Sequence, residues 1–139
     1  LFSCALEFEI KKNKMNNLII DAANEKILFK IIDGSKSYTS SYPNSRENFD
    51  KILILLFEFL KENDIKITNI NNIFVNQGPG SFSGIRCSIA VAKGLCFANK
   101  LDLYGFNNDQ VKNKNYTQIL DLFKKGLLIK NLIKPLYLS

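Results

Sequence analysis

The residues best suited to chemistry form one run, Gly78-Pro79-Gly80-Ser81-Phe82-Ser83-Gly84-Ile85-Arg86. The apolar stretch before it, Ile73–Gln77, reads as a buried strand, and Pro79 cannot extend that strand because it has no N–H to donate. Gly78 and Gly80 allow backbone angles that a side chain forbids. Ser81 or Ser83 can then cap the first unpaired amides of a helix. Strand, tight turn and helix N-terminus in that order make a candidate anion site from Gly78, Pro79, Gly80, Ser81, Ser83 and Gly84, with Arg86 nearby. It is not a Walker A loop, since no Gly-Lys-Ser/Thr follows at the required spacing.

Other chemistries find fewer parts. The chain has no histidine, which excludes a Ser-His-Asp triad, Cys-His catalysis and His-ligated zinc. Cys4, Cys87 and Cys96 have no metal or redox spacing, and Cys87 and Cys96 fall on roughly opposite faces of one expected helix. Free thiols in a reducing cytosol are the plain reading. A two-metal nuclease needs converging carboxylates, one near the end of the fourth strand. Asp21 could serve on the first strand, but the fourth ends in Asn76-Gln77, and Glu47, Glu58 and Asp109 do not complete a site.

These residues need a scaffold, and 139 residues with 46% hydrophobic content suit one soluble domain. No apolar run approaches the length of a membrane span. The net charge is +6, carried almost entirely by lysine, since Arg46 and Arg86 are the only arginines. With its Lys, Asn and Ile bias, the charge reads first as a solvated surface and second as a face for nucleic acid. The chain begins with Leu, and Met15 stands just before the first strand pattern, so residues 1–14 are expected to be an upstream or disordered extension, or a mis-set start, with no targeting role.

Leu18–Ala22 reads as a central strand. Ile27–Asp33 and Ser35–Tyr42 read as a hairpin, turned at Asp33-Gly34. Pro43 and Ser45 mark a helix start, and that helix runs to about Asn63. Ile73–Gln77, a second helix over Ser81–Asn99, and a strand over Asp102–Phe106 follow. Asn107–Asn115 reads as loop, and the helix TQILDLFKK stops at Gly126 as at a C-cap.

Both long helices carry unusual surfaces. In the first, Phe49, Ile52, Leu53, Ile54, Leu55, Leu56, Phe57, Phe59 and Leu60 cover about 200° at about 100° per residue, about twice the stripe of a one-sided helix. One sheet face cannot cover that arc, so something else must lie against it. In the second, Gly84, Ser88 and Ala92 form one small-residue ridge and Ala90, Gly94 and Ala98 another, which permits close helix approach. Phe49, Ile52, Leu53, Leu56, Phe57, Leu60, Gly84, Ile85, Ser88, Ile89 and Ala92 are therefore the expected partner surface. Leu56→Asp or Ala92→Arg should break it.

GPGSFSGIR followed by SIAVAKGL resembles the signature of the TsaB (YeaZ) family, written GPGSFTG(V/I)R…G(I/L)AxAKGL, and the tail LIKPLYLS resembles that family's PxYLR ending, with Ser139 where Arg is usual. The strand and helix order matches, by analogy, a ribonuclease H-like half-domain of the actin-like ATPase (ASKHA) class. That class implies a mixed five-stranded α/β sheet, with 15–106 as the N-terminal lobe, the second lobe largely missing, and 107–139 a remnant helix and tail. The resemblance implies a cytoplasmic, non-catalytic subunit that supports TsaD in making N6-threonylcarbamoyladenosine at position 37 of tRNA. It does so through a helix bundle, with a TsaE-type ATPase and tRNA joining. It implies no cofactor on this chain alone, ATP use by the assembly, and a homodimer through the same face in isolation. The first-strand turn Asp21-Ala22-Ala23-Asn24-Glu25 lacks the glycine and hydroxyl of active relatives, and Asp21 reads as a turn or cap residue. A ribonuclease H-like nuclease and a free-standing nucleotide or anion binder are the other classes.

Overall fold

Leu18 and Ile20 belong to one apolar core, Ile19 between them belongs to another, and all three are fully buried in the computed structural model. A strand covered on both faces must be apolar at nearly every position, which is why Leu18–Ile20 and Ile73–Val75 are continuous hydrophobic runs. The structure describes residues 15–136. The expected upstream extension, 1–14, with Cys4, and the tail residues Tyr137, Leu138 and Ser139 lie outside the described residues.

One mixed sheet runs in the order β3-β2-β1-β4-β5-β6. Its strands are β1 (Asn16–Asp21), β2 (Lys26–Asp33), β3 (Lys36–Pro43), β4 (Asn72–Asn76), β5 (Leu103–Phe106) and β6 (Ile129–Lys130). The first three form an antiparallel meander, β4 joins β1 and β5 joins β4 in parallel, and β6 returns antiparallel to β5. The sheet therefore has six strands where five were expected, because a two-residue strand shows no period. Asp33 pairs with Lys36, so the turn itself is Gly34-Ser35, one residue later than the expected Asp33-Gly34, with Gly34 at the first central position and φ +55°. Pro43 ends β3 opposite Lys26 instead of opening a helix. Proline is tolerated there because β3 is the sheet's edge.

The helices are α1 (Arg46–Phe49), α2 (Ile52–Glu62), α3 (Phe82–Asn99) and α4 (Thr117–Lys124). The first two were expected as one. Ser45 does cap α1, its hydroxyl accepting from the Asn48 amide at 3.2 Å. The backbone then leaves helical angles at Lys51, with φ −127° and ψ 27°. The side chains of Asn44, Ser45 and Asn48 each hydrogen-bond to backbone, and α1 buries no residue that would hold it in line with α2. One sheet face is covered by α2 and α3. The other is covered by α4 through Ile119, with the Phe123 ring edge-on to Phe74 at 5.3 Å. Gly126 (φ +69°) closes α4 in a Schellman motif: its amide donates to the Phe123 carbonyl at 3.0 Å, and the Leu127 amide donates to that of Leu122 at 2.9 Å.

Candidate functional site

The signature turn begins where β4 ends. Gly78 takes φ +105° and donates its amide to Asn76 Oδ1 at 2.8 Å. The Ser81 amide donates to the Ala23 carbonyl at 2.7 Å, and Ser81 Oγ caps α3 by accepting from the Gly84 amide at 3.3 Å. Of the two candidate caps, then, Ser81 serves, and Ser83 is exposed. A Cβ at Gly80 would collide with the Ala23 carbonyl oxygen, and one at Gly84 with that of Ala22. These two glycines answer to space, not backbone angle, because the end of β1 runs directly against the turn. The amides of Gly78, Ser81 and Gly84 are thus already consumed within the chain. Arg86 is exposed, its guanidinium 4.9 Å over the centroid of the Phe82 ring.

Beside the turn lies a buried polar network. Asp21 Oδ1 accepts from the Ala23 amide at 3.1 Å and from Asn76 Nδ2 at 3.0 Å, and Oδ2 accepts from the Tyr116 hydroxyl at 2.7 Å. Asn76 Nδ2 also donates to Asn108 Oδ1 at 2.8 Å, and Asn108 Nδ2 donates to the Pro79 carbonyl. Asp21 is thus an Asx-turn residue, with three internal donors on its carboxylate. Burial, and then the Asp21 carboxylate beside it, push the Tyr116 hydroxyl well above the usual phenol range. Asn76, Asn108 and Tyr116 were not anticipated as members of a site. Asn108 lies in a stretch that reads only as polar loop, and Tyr116, at its far end, reads only as the approach to a helix.

An open cleft of about 680 Å³ adjoins this network, with Asp21, Asn24, Lys26, Ser81, Lys114 and Tyr116 in its wall. Its polar groups are of both signs. Among the described residues no three His, Cys, Asp or Glu side chains gather as metal ligands would.

The expected partner surface divides on inspection. Ile52, Leu56, Leu60, Ile85, Ile89 and Ala92 are at most 3% exposed, and Gly84 and Ser88 are buried with them. These eight belong to the chain's own core, a correction with an identifiable cause. On the sheet side, Phe59 of α2 and Tyr42 of β3 both pack on Phe29 of β2 at 6.0 Å, and Ile70, with the half-buried Ile65 and Ile67, joins the same core from the segment that follows α2. The ridge Gly84, Ser88, Ala92 faces inward, with Gly84 against β1. Phe49 is half-buried. Leu53 and Phe57 remain 43% exposed, joined by Ile54 at 59%, and Phe97 of α3 is 90% exposed. Ala90, Gly94 and Ala98 are exposed as well. No helix among the described residues is long and apolar enough to cross a membrane.

A mixed sheet with this strand order and helices on both faces is a half-domain of the ribonuclease H-like, actin-like ATPase class. YeaZ from Pseudomonas aeruginosa has the same fold, with a TM-score of 0.66 and 19% identity over 81% of this chain and 50% of that one. A family model described as TsaD, tRNA N6-adenosine threonylcarbamoyltransferase, matches residues 42–112, just over half of the chain. The tRNA threonylcarbamoyladenosine biosynthesis protein TsaB of Escherichia coli (strain K12) is 35% identical over 60 residues, 43% of this chain and 26% of that protein. The TsaB of Buchnera aphidicola subsp. Baizongia pistaciae (strain Bp) is 46% identical over 44 residues, 32% of this chain and 20% of that protein. The chain belongs to the family that this model describes and is a TsaB/YeaZ-type member of it, spanning at most about half the length of these relatives.

Proposed function

We propose that the chain is a non-catalytic scaffold subunit in tRNA N6-threonylcarbamoyladenosine biosynthesis, docking a TsaD-type catalytic subunit through the outer sides of α2 and α3. The observation that carries this reading is the apolar area those helices leave uncovered, Leu53, Ile54 and Phe57 on one and Phe97 on the other. Large apolar side chains grouped on a surface mark a contact site more often than chance exposure does. A structural, not reactive, role also suits Asp21, whose carboxylate already accepts from three internal donors. In this reading a TsaE-type ATPase and tRNA join the assembly, ATP is used there, and a second copy of the chain takes the same face when no partner is present.

The test is co-expression with a TsaD-type protein. Wild-type chain co-elutes with it and the pair makes the modified nucleoside, whereas Phe57→Asp and Phe97→Asp variants elute alone while still melting cooperatively. Unchanged co-elution of both variants defeats the reading.

Lys26 and Lys114 in the cleft favour a second reading, a nucleotide or anion binder. Thermal stabilisation by millimolar ATP, lost in Lys26→Ala and Lys114→Ala, would select it.

A further inference from the structure

The two stretches that look most like family motifs, the Gly-Pro-Gly turn and the Pro-containing tail, touch each other. Gln77, only 3% exposed, is the point of contact. Its amide donates to the Phe106 carbonyl at 2.7 Å, its carbonyl accepts from the Leu136 amide at 2.8 Å, and its Nε2 donates to the Lys134 carbonyl at 3.0 Å. A Cβ at Gly105 would press on both the Gln77 side chain and Ile133, and one at Gly78 would lie 2.9 Å from the Leu136 carbonyl oxygen. The tail therefore runs in a slot that exists because Gly78 and Gly105 have no side chains.

Among the described residues, the slot holds the tail at few points. Ile133 is fully buried and shares the α2/α3 core, but Leu132 is 81% and Leu136 38% exposed. Among the described residues, one buried side chain and two hydrogen bonds hold Ile133–Leu136, fewer contacts than the ladders of β1, β2 and β4 make, and segments with few buried contacts are the ones that open first.

We propose that Ile133–Leu136 is a releasable strap, which when seated fixes Gln77 and Gly78 and so sets where α3 begins. Leaving the slot frees the turn without unfolding the sheet. The strap rests on contacts within the chain, so it stands or falls separately from any partner.

The experiment is residue-resolved amide exchange on the full chain, comparing wild type with Leu136→Pro and Gln77→Met. The first removes the N–H donated to Gln77. The second removes the side-chain donor to Lys134 and leaves the backbone intact, so it decides the matter if the first does not fold. The strap predicts that the Gly78 and Ser81 amides exchange about tenfold faster while the β2 amides keep their rates, as expected for loss of a local hydrogen bond. Unchanged turn amides, or equal acceleration of every amide in the sheet, overturns it.

Discussion

The Tyr116 hydroxyl donates to Asp21 Oδ2 at 2.7 Å, although the two residues are 95 positions apart in sequence. The contact ties the last residue of β1 to the start of α4. Tyr116→Phe leaves one oxygen of a 3% exposed carboxylate without its donor. The expected loss is about 1–3 kcal/mol of stability, read from the urea midpoint at constant slope. A midpoint equal to that of the wild type would show that the contact is dispensable.

Alkaline pH should weaken the fold. Burial, and then Asp102, push the Cys96 thiol from 9.0 up to about 11. Tyr116 is raised above 10.0 chiefly by burial. Unfolded, both groups release their protons at ordinary values, so between about pH 9 and 11 the folded state binds more protons than the unfolded. Stability is complete below pH 9 and falls as pH rises through that window. Melting temperatures from pH 8 to 11 should therefore decline, and less steeply in Cys96→Ala.

Two glycines of α3 should respond in opposite directions. A Cβ at Gly84 meets the Ala22 carbonyl, whereas one at Gly94 meets nothing within 4 Å. Gly84→Ala should destabilise by about 1–3 kcal/mol through overpacking. Gly94→Ala should stabilise the isolated chain by about 0.5–1 kcal/mol through helix propensity. Chemical denaturation of the two variants side by side distinguishes these signs.

Exposed and buried positions on α2 separate docking from folding. Phe57→Asp should cost about 1–2 kcal/mol, since more than half of that side chain is buried, and leave the chain folded while abolishing partner binding. Leu56→Asp should cost more than about 4 kcal/mol, because it buries an unpaired charge at a site with 0% exposure. Ala92→Arg, also at 0% exposure, falls in the same class. Circular dichroism melts on each variant check this before any binding assay.

Much of this architecture was legible in the sequence because its signals are local. Asp33-Gly34, Ser45, Ser81 and Gly126 each act within a turn of their own position, and strands buried on both faces announce themselves as apolar runs. The site was less legible because its contacts are not local. Nothing near Tyr116 points to Asp21, and no period marks Ile129–Lys130 as a strand. The α2 arc gave the right warning and the wrong allocation. Its residues were apolar enough to need two covers, but the sequence could not show that Ile65, Ile67 and Ile70 supply part of the second from within the chain. Leu53, Ile54 and Phe57 are what that internal cover leaves out.

The pairing of β1 with β4 places Asn17 opposite Asn72. The middle of the sheet therefore closes only after the hairpin, α1 and α2 have all left the ribosome, whereas β1, β2 and β3 can zip together as they emerge. Closing so long a loop is entropically slow compared with forming the meander. Until β4 has also left the ribosome, the nascent chain carries the bare inner edge of β1, a strand of Leu18, Ile19 and Ile20 with open hydrogen-bonding groups. Such an edge invites mispairing with other chains. The interval between the emergence of β3 and that of β4 thus leaves the nascent chain open to aggregation.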